Sequence, residues 1–138
     1  MHYLFIFFNL FMAPVENNKS TLTFSVNNIK EIKGTLEIGL FNSNERFLEE
    51  GQAFRIISIA VKKSSETIII KDLPKGTYAI SLYQDINEDD ICNLNFIGIP
   101  KEPYAFSNNF KPKFSAPTFE DCNFQLDTDK SLKIDLIN

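Results

Sequence analysis

Apolar residues recur at every second position in several short segments of the chain. Leu22, Phe24 and Val26 form the first such series, and the next one, at positions 36, 38 and 40, alternates with polar residues. A period of two residues is that of a half-buried β-strand, because successive side chains of a strand point to opposite faces. The pattern therefore predicts strands at 22–26 and 34–40, and others at 57–61, 67–70, 77–83 and 132–136.

The segments between these series contain turn signals and little that predicts a helix. Residues 72–76 combine Pro74, whose φ is restricted, with Gly76, which permits a positive φ, and so predict a turn. One short helical piece is predicted at 44–50, where Ser43 or Asn44 is a candidate N-cap. About seven short strands without helical crossovers are typical of an antiparallel β-sandwich, immunoglobulin-like or transthyretin-like in topology.

The length of 138 residues suits one domain, which we assign to residues 20–138. Before it, residues 3–12 form an apolar run interrupted only by Asn9, which is too short to span a bilayer but suits a signal peptide. We therefore expect a signal peptide at residues 1–13. Its start is expected to be truncated, because no Lys or Arg precedes the apolar run. An ordered first strand and an uncleaved anchor are the alternatives. The mature chain is then expected in the periplasm or the extracellular space, without a transmembrane span.

Charge and histidine content exclude several classes of function. The net charge is −4 and no cluster of Lys and Arg could follow a phosphate backbone, so nucleic acid is excluded as a partner. His2 is the single histidine, which excludes a Ser-His-Asp triad, a Cys-His pair and a histidine-based zinc site. No glycine-rich phosphate-binding motif follows a predicted strand, so a nucleotide cofactor is not expected.

The chain has two cysteines, Cys92 and Cys122. An even pair in an exported chain permits one disulfide without requiring it. Because each lies beside apolar residues, either can equally be a small buried hydrophobic residue. A bridge, a metal role and a buried thiol are all left open by the sequence.

An oxygen-rich loop follows the strand predicted at 77–83. Oxygen-bearing side chains occupy every second position, with a backbone carbonyl available at the one apolar position, in the series Asp85, Asn87, Asp89, Ile91 and Asn93. Ca²⁺ takes six to eight oxygen ligands, and alternate residues of a turning loop can direct their oxygens inward. The series is therefore a candidate calcium site.

Two positions exclude a true EF-hand, because Asp90 stands where such a loop needs Gly and Phe96 where it needs a bidentate acid. Carboxylates from elsewhere are candidates to complete the ligand set, namely Glu102, Glu120 and Asp121. The alternative is a solvated acidic turn whose Asp and Asn side chains accept hydrogen bonds from their own backbone.

The same carboxylates are also candidate catalytic groups, which is the enzymatic alternative. Glu102 beside Glu120 or Asp121 can serve as acid and base of a glycan hydrolase if unequal burial separates their pKa values. No catalytic motif supports this, so we favour a protein that is not an enzyme.

The segment 98–117 combines backbone restriction with aromatic surface. It contains four prolines, and its aromatic residues are Tyr104, Phe106, Phe110 and Phe114. A long loop of this composition is expected to be ordered. Beside Ser107, Asn108 and Asn109 the aromatic side chains can form a surface for a glycan or a peptide, or they can cover an open edge of the sandwich.

Four sequence blocks in order resemble an uncharacterised bacterial family, domain of unknown function 2141. The chain matches the block LPxGxYA at Leu73, Pro74, Gly76, Tyr78 and Ala79, and the block D-x-N at Asp85 and Asn87. It matches GxPxExxxFSN at Gly98, Pro100, Glu102, Phe106, Ser107 and Asn108, and PxFED at Pro117, Phe119, Glu120 and Asp121. Departures from the family pattern are Asp89, Asp90 and Asn93 in the loop, and Cys92 and Cys122 at positions usually aliphatic. The resemblance implies an exported β-sandwich of the envelope or periplasm, and the family has no established activity.

These observations together predict a non-enzymatic binding or envelope module with a calcium-stabilised loop, whose partner is a glycan, a peptide or an envelope protein. A carboxylate-dependent glycan hydrolase and a purely structural envelope component are the alternatives.

Overall fold

The computed structural model describes residues 18–91 and 101–138, which form two packed β-sheets. The strands are β1 (Lys19–Asn27), β2 (Thr35–Phe41), β3 (Arg55–Ala60), β4 (Glu66–Pro74), β5 (Gly76–Asp85), β6 (Tyr104–Phe106), β7 (Phe124–Leu126) and β8 (Lys130–Asp135). A 3₁₀ turn at Ser107–Asn109 and one short helix, α1 (Phe119–Cys122), complete the elements. The predicted β-sandwich is confirmed, with β6 as an additional strand inside the segment predicted to be a proline-bearing loop. The predicted signal peptide, 1–13, lies outside the described residues, as do Cys92 and Asn93.

The two sheets have three and five strands. The order is β4-β1-β8 in the smaller sheet and β3-β2-β5-β6 in the larger one, where β7 also pairs with β5. All pairings are antiparallel except that of β1 with β8, which is parallel. This departs from the predicted antiparallel arrangement. Chain elements of the other sheet separate β1 from β8, so no hairpin constrains their relative direction.

The core lies between the sheets and uses the apolar series that the sequence displays. Fully or almost fully buried side chains come from alternate positions of the central strands, including Leu22, Phe24, Val26, Leu36, Ile38, Leu40, Ile80, Leu82 and Ile134. Burial of each such side chain stabilises the fold by about 1.5 to 3 kcal/mol. The period of two therefore identified both the strands and their inward faces.

A second apolar cluster covers the outer face of the larger sheet. It consists of Phe41, Phe47, Ala79, Tyr104, Phe106, Phe119 and Cys122. Edge-to-face ring contacts join its members, with centroids 5.3 Å apart for Phe41 and Phe47 and 5.8 Å apart for Phe47 and Phe119. Aromatic residues of the proline-bearing segment thus cover the sheet, with the exception of Phe114.

Two local predictions differ from the structure. Residues 44–50 form a series of turns and no helix, because Leu48 has a φ of 62°, which a right-handed helix does not accept. Ser43 still accepts the Arg46 amide at 3.3 Å, as a cap would. In the segment predicted as a turn, 72–76, β4 continues to Pro74, and the positive φ lies at Asp72 (58°) and not at Gly76. Aspartate tolerates this region because its short polar side chain bonds locally.

The connection from β1 to β2 is held against the end of β5. The Gln84 amide nitrogen donates to the carbonyls of Glu31 and Lys33 at 2.8 and 2.9 Å. Gly34 has a φ of +69°, and a Cβ there would lie 2.0 Å from the Asp85 carbonyl oxygen. Only glycine combines this φ with so close an approach of two backbones.

We expect Gly34→Ala to destabilise the protein far more than Gly51→Ala. Gly51 also has a positive φ, of +73°, but a Cβ there would meet nothing within 4 Å. Gly51→Ala, the control, should lower the free energy of unfolding by about 1 to 2 kcal/mol, because only the left-handed conformation is strained. Gly34→Ala should lower it by about 3 kcal/mol or more, because the contact with Asp85 must also open. Urea unfolding of both variants measures the difference. If both variants lost the same free energy of unfolding, the close contact between Gly34 and Asp85 would be contradicted.

Candidate functional site

The candidate loop begins where β5 ends, at Asp85. Its side chain lies on the outer face of the larger sheet and is 0% exposed. Both carboxylate oxygens accept backbone amides of the loop, Oδ1 from Asp89 at 3.2 Å and Oδ2 from Asp90 at 2.8 Å. Charge-assisted bonds of this kind are roughly twice as strong as neutral ones. Asp85 therefore folds the loop back onto the end of the strand.

The following residues form a second turn around Asp89. Its Oδ1 accepts the amide of Ile91 at 3.0 Å, and its Oδ2 accepts the side-chain amide of Asn87 at 3.0 Å. Glu88 and Asp90 have φ values of 55° and 60°, which reverse the chain on either side. These contacts are the ones that the alternative interpretation, a solvated acidic turn, predicts. Each carboxylate oxygen has two lone pairs, so one accepted amide does not exclude a cation.

Glu102 joins this loop through strand register. Because Tyr83 of β5 pairs with Tyr104 of β6, the position opposite Asp85 is that of Glu102. Its Oε2 accepts the Ile86 amide at 2.8 Å. Carboxylate oxygens of Asp85, Asp89 and Glu102 all lie within 4.8 Å of one another. Three of the acidic residues that the sequence nominates are therefore brought together.

Glu37 is a further member that the sequence did not indicate. Its carboxylate lies within 4.8 Å of those of Asp85 and Asp90, because Thr35 of β2 pairs with Asp85. Glu37 Oε1 also accepts the hydroxyls of Thr35 and Ser58, at 2.8 and 2.7 Å. The polar face of β2 was visible in the sequence, but only the β2–β5 register makes Glu37 a neighbour of the loop.

Glu120 and Asp121, the other candidate ligands, lie in α1 and belong to neither group of carboxylates. Asp121 Oδ2 accepts the Thr118 amide at 2.9 Å, and the Thr118 hydroxyl accepts the Asp121 amide at 3.3 Å. This reciprocal pair is a capping box that starts the helix. The helix packs near the middle of β5, since Ser107 both accepts the Ile80 amide at 2.8 Å and donates to the Cys122 carbonyl. At about 3.3 Å per residue, Ile80 is roughly 16 Å from Asp85.

Lysines lie near the carboxylates of the loop, because Lys30, Lys33 and Lys101 line the same cleft as Glu102. Among residues 18–91 and 101–138, no Lys or Arg forms an ion pair with Glu37, Asp85 or Asp90. Lys33 pairs with Glu31 at 3.3 Å. Like charges at this spacing repel, and a bound cation would relieve the repulsion.

Cys122 is a buried free thiol, as expected for the buried-hydrophobe interpretation. Burial raises the pKa of its thiol to about 12, and the nearby negative charge of Asp121 adds to this effect. Because the thiolate is the reactive form, the side chain is inert at neutral pH.

The family model for an uncharacterised protein conserved in bacteria (DUF2141) matches residues 24–135. The chain belongs to this family. The match includes the last four residues of β1, all of β2 to β8, and the carboxylates of the loop, so the candidate site lies inside the DUF2141 region. No curated protein and no solved structure matched the chain. Within the described part of this DUF2141 chain, no helix is long and apolar enough to cross a membrane.

We expect the Cys122 thiol to be unreactive in the folded protein. In a Cys92→Ser variant, Ellman's reagent at pH 8 should give no colour in native buffer and one equivalent in denaturant, because the raised pKa leaves almost no thiolate. Native reactivity should rise only as the pH approaches about 12. Reaction at pH 8 in native buffer as fast as in denaturant would contradict the burial.

Proposed function

We propose that this chain is an exported, non-enzymatic binding module of the bacterial envelope, and that its loop after β5 binds Ca²⁺. The observation that carries the calcium assignment is the convergence of Asp85, Asp89 and Glu102 within 4.8 Å. Oxygen-only donors of this kind suit a hard cation such as Ca²⁺. Asn87 and the carboxylates of Glu37 and Asp90 supply further oxygens at the same end of the sheet.

The apolar and amide side chains of a neighbouring cleft support a binding role. A cleft of about 690 Å³ lies between the end of β8 and the segment after β6, and its walls include Asn109, Phe110, Lys111 and Asn138. Amide groups beside an aromatic ring suit the hydroxyls of a glycan or the backbone of a peptide. This is the ligand class that we assign to the module.

The arrangement of the carboxylates favours binding over hydrolysis. Asp85 is fully buried and both of its oxygens accept backbone amides, so a substrate cannot reach it. Asp121 is held in the capping box of α1 and does not belong to the carboxylate group that contains Glu102. An acid and a base must both reach the scissile bond. The pairs considered for a glycan hydrolase do not meet this requirement, which supports a non-enzymatic role.

Calcium should raise the thermal midpoint of the protein, and EDTA should lower it. A ligand that binds only the folded state stabilises it by about 2.7 kcal/mol at one hundred times its Kd. In a chain of this size that corresponds to a shift of roughly 10 °C. Scanning calorimetry of the full chain with EDTA, Ca²⁺ or Mg²⁺ measures the shift. Identical midpoints with EDTA and with millimolar Ca²⁺ would refute the calcium assignment.

Two charge-neutralising variants locate the site. Glu102→Gln keeps an oxygen for the Ile86 amide but removes one ligand charge, so the calcium shift should fall by most of its size. Glu120→Gln removes an exposed charge of α1, outside both carboxylate groups, and should leave the shift unchanged. If both variants reduced the shift equally, Ca²⁺ would be bound elsewhere or non-specifically.

A further inference from the structure

The loop between the 3₁₀ turn and α1, residues 110–118, presents one aromatic ring to solvent. Phe114 is 97% exposed, more than any other large apolar side chain that the structure describes. Lys111 and Lys113 precede it and are exposed as well. Single exposed apolar residues are common on protein surfaces. The position of this one just after two lysines, on a loop with fixed ends, requires an explanation of its own.

Both ends of the loop are anchored to the larger sheet. Phe106 before it and Phe119 after it are buried in the outer apolar cluster. The Asn108 side chain donates to the Asn123 carbonyl at 2.8 Å and so joins the two ends. Pro112 and the buried Pro117 restrict the backbone between them. Little conformational entropy remains to be lost when the tip of such a loop meets a partner.

The charge of the loop is opposite to that of the whole protein. Residues 110–119 contain two lysines and no acid, whereas the chain carries a net charge of −4. Lys30 lines the same cleft as Lys111 and adds a third ammonium group on this side. Asp121 and Asp135 lie beside the loop, because each lines a cleft that Lys111 also lines. The loop itself is therefore basic and has an aromatic tip.

We propose that residues 110–118 dock the protein onto the surface of an anionic phospholipid bilayer. The Phe114 ring enters the interface between headgroups and acyl chains, and Lys111 and Lys113 lie against the anionic headgroups. A protein partner is less favoured, because lysine is depleted from the centres of protein interfaces, whereas lysines around an aromatic residue are typical of membrane-surface segments. The docking is weak and reversible, and it is independent of the calcium assignment.

The absence of tryptophan from the chain gives a direct test. In Phe114→Trp the single indole reports on the tip of the loop, and its emission should shift to the blue when phosphatidylglycerol vesicles are added. Neutral phosphatidylcholine vesicles should give no comparable shift. Raising the salt concentration from 0.1 to 1 M shortens the Debye length from about 10 to 3 Å and should reverse the effect. Lys111→Gln and Lys113→Gln should each reduce vesicle partitioning about fivefold, which corresponds to about 1 kcal/mol per lysine.

The matched control is Ile69→Trp, on β4 of the smaller sheet, where the native side chain is 58% exposed. Its emission should not respond to either vesicle. The proposal is overturned if Phe114→Trp shows no shift with anionic vesicles, if neutral vesicles shift it equally, or if Ile69→Trp responds as strongly. Circular dichroism and the thermal midpoint should be unchanged in Phe114→Trp because the native ring makes almost no buried contact, so a lost response would not reflect unfolding.

Discussion

Strand β5 pairs with β2 along one edge and with β6 along the other, and the register of these pairings positions the core and the candidate site together. Tyr78, Ile80 and Leu82 point between the sheets, while Ala79, Tyr83 and Asp85 point to the outer face. A slip of one residue would exchange the two faces, exposing the core residues and burying the polar ones. The large apolar area between the sheets thus holds the carboxylates in place at the end of β5.

A buried carboxylate at the end of a strand is costly unless it is hydrogen-bonded. Asp85 meets this condition through the amides of Asp89 and Asp90, so the loop and the aspartate stabilise each other. Gly34 and Gln84 add a second layer, because they bring the β1–β2 connection against the same backbone. Hydrogen bonds and backbone contacts of the chain itself therefore fix the loop at the end of β5.

The outer face of the larger sheet has regions of different chemistry. Aromatic rings and Cys122 cover its middle, carboxylates gather around Asp85, and the basic loop with Phe114 projects from the segment that covers the aromatic cluster. The net charge of −4 therefore conceals a local pair of lysines beside Phe114.

The sequence by itself determined the class of fold and the faces of most strands, because the period of two is a local property that burial on one side of a sheet imposes. It also identified the oxygen-rich loop and the family. Only the tertiary structure decided which residues meet there, since Glu102 and Glu37 reach Asp85 through strand register, while Glu120 and Asp121 lie in α1 and belong to neither carboxylate group. It likewise decided that β8 runs parallel to β1, that residues 44–50 are not helical, and that Phe114 is the one aromatic residue of its segment left in solvent. Such pairings depend on contacts between residues far apart in the chain, which no local pattern encodes.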